Sequence, residues 1–137
     1  MHALELKTGQ RIHGIEVIIV PGLRDAYNIL VGDTWARWAE TDALPPTLLL
    51  GMAFRSLLEH IHLPAGTIHL SQELEMQERA PISATYTLDI VVTRANMRQD
   101  QFFLFLELHI RANTCPVARA VTSLLIPLSP TKELVTQ

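Results

Sequence analysis

The sequence predicts an α+β fold, on three observations. One long apolar segment of helical character, Leu44 to His62 (LPPTLLLGMAFRSLLEHIH), stands alone in the chain. After Gly66 the apolar residues recur with a period of two instead. Short clusters containing Gly, Pro or Asn divide that second half into long strands, so that one helix serves one antiparallel sheet.

Residues 1–11 are polar and mixed. Gly14 to Val20 (GIEVIIV) is a β-branched run ending at Pro21-Gly22, which reads as a first strand closed by a turn. Leu23 to Val31 carries apolar residues at Leu23, Ala26, Tyr27 and Leu30, a spacing that predicts a short helix broken by Gly32-Asp33. Thr34 to Thr41 has room for another helical turn or two, with Trp35 and Trp38 one turn apart.

Pro45 and Pro46 fix the start of the long helix, because proline is tolerated in a first helical turn and pushes the residue before it out of helical conformation. Leu48 to Phe54 is apolar on all sides, which predicts an enclosed N-terminal half. Beyond Arg55 the helix turns amphipathic: Leu57, Leu58 and Ile61 continue the buried side, and Arg55 pairs with Glu59 one turn on across the other. Pro64 and Gly66 stop it.

Ile68, Leu70, Gln72, Leu74 and Met76 alternate with polar residues as a half-buried strand ending at Ala80-Pro81. Tyr86, Leu88, Ile90 and Val92 form the inner face of the next, and the polar stretch Asn96 to Gln101 reads as the loop that follows. Phe102 to Ile110 is apolar on one face throughout and on both at its start, which predicts a central strand. Asn113 to Pro116 turns the chain into a last strand, Val117 to Ile126.

The composition bounds the function. With 137 residues, 48% hydrophobic and 18% charged, the chain suits one domain over 1–137, with a core at about 14–127 and a frayed tail from Ser129. A net charge of −3 without a basic run gives no electrostatic footprint for nucleic acid or an anionic membrane. The single Cys115 forms no internal disulfide and has no basic neighbour closer than Arg111 and Arg119 to activate it. The N-terminus lacks the pattern of a leader and no apolar run reaches the ~18 residues of a membrane span, so the cytoplasm is the default. His60, His62, His69 and His109 show no metal spacing. Walker, dinucleotide and Gly-x-Ser-x-Gly motifs are absent, and no cofactor is expected.

Two stretches narrow the reading. GDTWARWAETDALPPTLLLG resembles the loop and helix start of MaoC-like hydratases and dehydratases, particularly the N-terminal dehydratase type, and IHLSQELEMQERAPI resembles that family's second strand. With the last hairpin, the resemblance covers roughly residues 15 to 127. It implies the hotdog fold, in which an antiparallel sheet wraps one central helix, and chemistry on an enoyl or 3-hydroxyacyl thioester of coenzyme A or acyl carrier protein.

The same resemblance exposes a departure. The family's catalytic pair lies in Asp-x-Asn-Pro-x-His. Asp33 matches the Asp, whereas Trp35 and Ala36 stand at Asn-Pro and Trp38 stands at the His. Indole has no basic nitrogen, so the proton-transfer group is missing. Gly51 matches the family's helix glycine, with Leu50 where active members have a histidine. By resemblance, Asp33 is the catalytic candidate and Trp38, Pro46, Thr47, Leu50 and Gly51 are the substrate-binding candidates. Each also has a plain structural reading. Asp33 suits a helix cap, Trp38 a core or interface anchor, and Gly51 tight packing against a strand rather than a ligand's approach.

Three functions remain open at this point. One is a thioester-binding protein, weak or inactive alone, paired with a catalytic hotdog subunit. Another is a self-sufficient hydratase or acyl-CoA thioesterase using Asp33, Glu40 or Asp42 as a base; the third is a non-enzymatic binding module. An uncovered sheet edge and an open end of the helix predict a homodimer or heterodimer.

Overall fold

The computed structural model describes residues 1–20, 22–33 and 41–128. Among them the chain forms β1 (Arg11–Val17), α1 (Leu23–Leu30), α2 (Pro46–His60), β2 (Ile68–Met76), β3 (Tyr86–Arg98), β4 (Gln101–Ala112) and β5 (Cys115–Pro127). The strands make one antiparallel sheet in the order β1-β3-β4-β5-β2. As its two apolar faces predict, β4 is central.

Period two explains the core. Leu88, Ile90 and Val92 of β3, Leu104 to Ile110 at alternate positions of β4, and Ala118, Ala120, Leu124 and Ile126 of β5 turn one continuous apolar face to α2. The helix meets it with Leu49, Ala53 and Leu57, followed by Ile61 just past its end, each fully buried. A 3₁₀ turn at Ala3–Glu5 ties the N-terminus to the end of α2, where Ala3 N–H donates to His62 C=O at 2.9 Å.

Several expectations need correction. α1 is present as expected, but its inner side is mixed: Arg24 and Asn28 are buried beside half-buried Leu23 and Tyr27, while Ala26 is exposed and Leu30 is 84% exposed. The cause lies in the segment before α2, where Thr41 and Ala43 carbonyls take hydrogen bonds from the Arg24 guanidinium. Such backbone acceptors must find donors when enclosed. The N-terminal half of α2 is not enclosed all round, since Leu50, Met52 and Phe54 are half-buried and Gly51 is exposed. Leu58, expected on the buried side, is also exposed. A single sheet covers one side of a helix and leaves the other open.

β1 ends at Val17 rather than Val20, because Val17 pairs with Tyr86, where β3 begins, and no partner lies beyond. In β2, Ile68 and Leu70 are exposed. The register shifts between His69 and Ser71, and His69, itself exposed, pairs with Leu124 and stacks on Phe54 of α2 at 5.5 Å. The stretch Asn96 to Gln101 is no loop: β3 and β4 pair as far as Arg98 and Gln101 around a tight turn, with Gln99 at φ 57°. Its polarity reflects a hairpin tip extending past the core. The helical turns expected over Thr34 to Thr41, with Trp35 and Trp38, and the tail from Ser129 lie outside the described residues.

Candidate functional site

The site expected from the sequence lies at the start of α2. A helix leaves its first four N–H groups free, and these with the macrodipole make an anion-binding end. Here the N-cap and first helical residues are Pro45 and Pro46, which carry no N–H. Leu48 N–H returns to Pro45 C=O at 3.1 Å. Among the described residues, Thr47 N–H is what remains of that donor set. The Thr47 hydroxyl is engaged as well, in a 2.5 Å hydrogen bond with the Tyr27 hydroxyl of α1.

α1 supplies the other polar groups nearby. Arg24, 8% exposed, donates to Thr41 C=O at 2.5 Å and Ala43 C=O at 3.2 Å, and its Nε lies 3.5 Å from Asp25. It therefore fixes the chain entering α2. Asn28, one turn on and on the same face, has its carboxamide oxygen and nitrogen both enclosed without a hydrogen-bond partner. An enclosed amide of this kind is costly. The sequence reading passed over Arg24, Tyr27 and Asn28. The available signal was the polar pair Arg24 and Asn28, spaced i, i+4 so that they share one face of the helix.

Asp33 closes α1, its N–H donating to Asn28 C=O at 2.7 Å, and it is exposed. Asp42, a second candidate base, is ion-paired with Arg79. Its backbone is held too: Ile82 N–H donates to Asp42 C=O at 2.5 Å and Leu44 N–H to Ala80 C=O at 2.7 Å. The Tyr86 hydroxyl donates to Pro81 C=O in the same seam. Burial, with the Asp42 charge adding to it, pushes the Tyr86 pKa up to about 12, so this phenol stays a donor. Pro46 and Thr47 stand exposed at the helix start; Leu50 and Gly51 follow one turn later. Among the described residues, and apart from its own stretch of helix, nothing comes within 4 Å of where a Gly51 side chain would begin. Tight packing against a strand does not explain that glycine. Trp38 and Glu40 lie outside the described residues.

A cavity of about 210 Å³ opens on another flank of α2. Ile18, Val20, Leu23 and Met52 form its apolar part, and Glu16, Arg55, Ser56 and Glu59 its polar part. Among the described residues, none of the catalytic or substrate-binding candidates lines it. Arg55 and Glu59 are 3.9 Å apart there, as their spacing predicts.

The outer face of the sheet carries two ion-pair clusters. Asp89 accepts from Gly14 N–H at 2.9 Å and from Arg111 at 3.0 and 3.3 Å. Burial pushes its pKa up, but the Gly14 N–H, the Arg111 guanidinium and His13 together bring it below the ordinary aspartate value. Glu107 accepts two bonds from Arg119, at 3.1 and 3.0 Å, and lies 2.7 Å from His109 Nε2. Arg119 above all, against some opposition from burial, holds Glu107 below the ordinary glutamate value. These clusters face away from α2 and hold strands together. Among the described residues no group of three or more His, Cys, Asp or Glu is placed to bind a metal, and no helix is long and apolar enough to cross a membrane.

No family model and no curated protein matches the chain. Solved structures do. The (R)-hydratase from A. caviae involved in PHA biosynthesis superposes with a TM-score of 0.68 at 21% identity, covering 91% of this chain and 100% of that one. A MaoC-like dehydratase from Rhodospirillum rubrum gives 0.72 at 13% identity, covering 95% and 99%. The C-terminally truncated HadBC (3R-hydroxyacyl-ACP dehydratase) complex from Mycobacterium tuberculosis gives 0.69 at 11% identity, covering 88% and 97%. The likeness runs over almost the full length of each chain, and at these identities it concerns the fold.

Proposed function

We propose that this chain, whose fold is the hotdog fold of those three structures, is a MaoC-like protein that binds an acyl thioester, of coenzyme A or of acyl carrier protein. In this reading it is weak or inactive alone and works as the partner of a catalytic hotdog subunit. The observation that carries the proposal is the chemistry at the start of α2. Adding water to an enoyl thioester, or removing it from a 3-hydroxyacyl thioester, takes a base for the water, a proton donor for the α-carbon and donors for the enolate oxygen.

This chain is short of all three. Trp38 replaces the family's proton-transferring His, Leu50 replaces the histidine before Gly51, and the two prolines leave Thr47 N–H as the backbone donor. Asp42 is spent on Arg79. What the helix start still offers suits binding: an exposed first turn, an open flank at Gly51, and the Thr47 and Tyr27 hydroxyls. Such a half would shape the acyl site and leave the proton transfers to its partner.

The test combines two measurements on the purified chain: calorimetric titration with a saturated acyl-CoA, and hydration of crotonyl-CoA and a longer enoyl-CoA. The expected result is binding with negligible turnover. General acid–base groups contribute about 10²–10⁴-fold each. Trp38→His alone should recover little, because the Asn-Pro of the family motif is missing too. Turnover by the parent chain that vanishes in Asp33→Ala would replace this reading with a self-sufficient enzyme.

A further inference from the structure

We propose that the outer face of the β3–β4 hairpin holds a second ligand site, for a nucleoside phosphate, with the base on Phe103 and the phosphate on Arg94 and Arg98.

Past the register shift between Val92 and Arg94, the ladder sets Arg94, Asn96 and Arg98 of β3 opposite Phe105, Phe103 and Gln101 of β4. Alternate residues of a strand share a face, so these side chains stand together on the side of the sheet away from α2. All but Gln101 line a cavity of about 170 Å³. Tyr86, where β3 begins, adjoins the seam beside the start of α2 through Pro81. Asn96 lies roughly 30 Å farther along the strand, at ~3.3 Å per residue. The cavity is therefore separate from the thioester site proposed above.

Charge, ring surface and an unpaired acceptor select the ligand. Arg24, Arg55, Arg79, Arg111 and Arg119 each lie beside a carboxylate. Arg94 and Arg98, both exposed, have no ion-pair partner among the described residues. Two such guanidiniums on one face make a local anion site in a chain of net charge −3, and their planar forks fit phosphate oxygens. The Arg94 guanidinium lies over the Phe105 ring at 5.8 Å, whereas half-buried Phe103 carries no ring or cation among the described residues. A phenyl face beside cations suits the stacking of a flat base. Asn96, half-buried between the two arginines, has its carboxamide oxygen enclosed without a hydrogen-bond partner. Enclosed acceptors are normally satisfied, and no hydrogen bond holds this one against turning towards the cavity that Asn96 lines. The exocyclic amine of adenine supplies the missing donor. Phosphate alone would satisfy the arginines and leave Phe103 and Asn96 unused.

The test is titration of the full isotope-labelled chain with adenosine monophosphate, read from amide NMR shifts, with inorganic phosphate, adenosine and coenzyme A as further arms. Adenosine monophosphate should shift Arg94, Asn96, Phe103 and Phe105, and phosphate and adenosine singly should each bind at least about tenfold more weakly. Arg94→Gln with Arg98→Gln, its fold verified by circular dichroism, should weaken the nucleotide by about tenfold or more, whereas Arg55→Gln on α2 should not. Coenzyme A carries an adenosine phosphate too. Similar affinities at these amides assign the site to free nucleotides, and a tighter response to coenzyme A assigns it to that part of the coenzyme. Absence of shifts at these residues, equal affinity for phosphate alone, or unchanged affinity in the double variant would overturn the proposal. A single-stranded oligonucleotide binding far more tightly than the mononucleotide would overturn it as well, in favour of a nucleic-acid surface. Adenosine monophosphate has no thioester arm, so its result stands whether or not the thioester reading does.

Discussion

Gly51→Ala separates what this chain needs from what its ligand needs. Glycine inside a helix is less stable than alanine by about 1 kcal/mol. At Gly51 the added methyl would meet nothing within 4 Å among the described residues outside its own stretch of helix, so no steric cost from them offsets the gain. For a domain between the usual small and medium sizes, that gain is a rise in melting temperature of about 3–5 °C. Thermal melts followed by circular dichroism read it directly. A thioester lying against this flank of α2 would be obstructed by the methyl, so the stabilised variant should bind acyl-CoA more weakly by calorimetry. A lowered melting temperature would refute the claim that the position is open. A raised melting temperature with unchanged affinity would refute Gly51 as a contact.

Other perturbations test the frame around it. Leu57→Asp should unfold the domain, because Leu57 is fully buried and an unpaired carboxylate there costs several kcal/mol against a total stability of about 5–15. Glu59→Ala, which removes one half of an exposed pair, should melt within a degree or two of the parent chain, and equal melting of Leu57→Asp would show that α2 is not the core. Arg24→Gln should cost about 1–3 kcal/mol in a urea titration by leaving the Thr41 and Ala43 carbonyls short of donors; a neutral result would free α1 from its positioning role. Asp89 and Glu107 have pKa values below the ordinary range, so their stabilisation is fully present above the unfolded-state values near 4 and is lost as pH falls through the lower folded-state values. Melting temperature should therefore drop below about pH 4, and Glu107→Gln should shallow that drop; identical acid profiles would assign the acid loss to other groups.

The sheet was legible because its cause is local. Each of β3, β4 and β5 carries its inner face at every second residue, and side-chain period is what a strand's backbone imposes. The tip of the β3–β4 hairpin was not legible, since Arg94 to Arg98 gain ladder partners without gaining burial, and polarity alone then looks like a loop. β2 was half legible: the alternation is real from Gln72 onward, but a register shift at His69 resets which residues face inward. α1 was found at the right residues, but not the mixture of apolar and polar side chains it turns inward. Periodicity reports that a helix has two unlike faces; it does not report which one the fold covers, and here two backbone carbonyls claimed the polar side. At the candidate site, the doubled proline was readable as a helix start, but its effect on the donor set depends on Leu48 N–H returning to Pro45, a detail of geometry.

The lightly packed α1 has a further consequence, for how the molecule breathes. Leu23 and Tyr27 give α1 only half-buried apolar contacts, while Ile29, Leu30 and Val31 face outward. Among the described residues its attachment therefore rests on the hydrogen bonds of Arg24 and Tyr27 together with the partial contacts of Leu23 and Tyr27 with the core. Regions with few buried apolar contacts open at free energies well below that of global unfolding. α1 should thus detach as a unit while the five strands stay closed, its amides exchanging with solvent long before those of β4. Each such opening releases Thr41, Ala43 and Thr47 together, so the start of α2 inherits the mobility of a helix that the core holds only lightly.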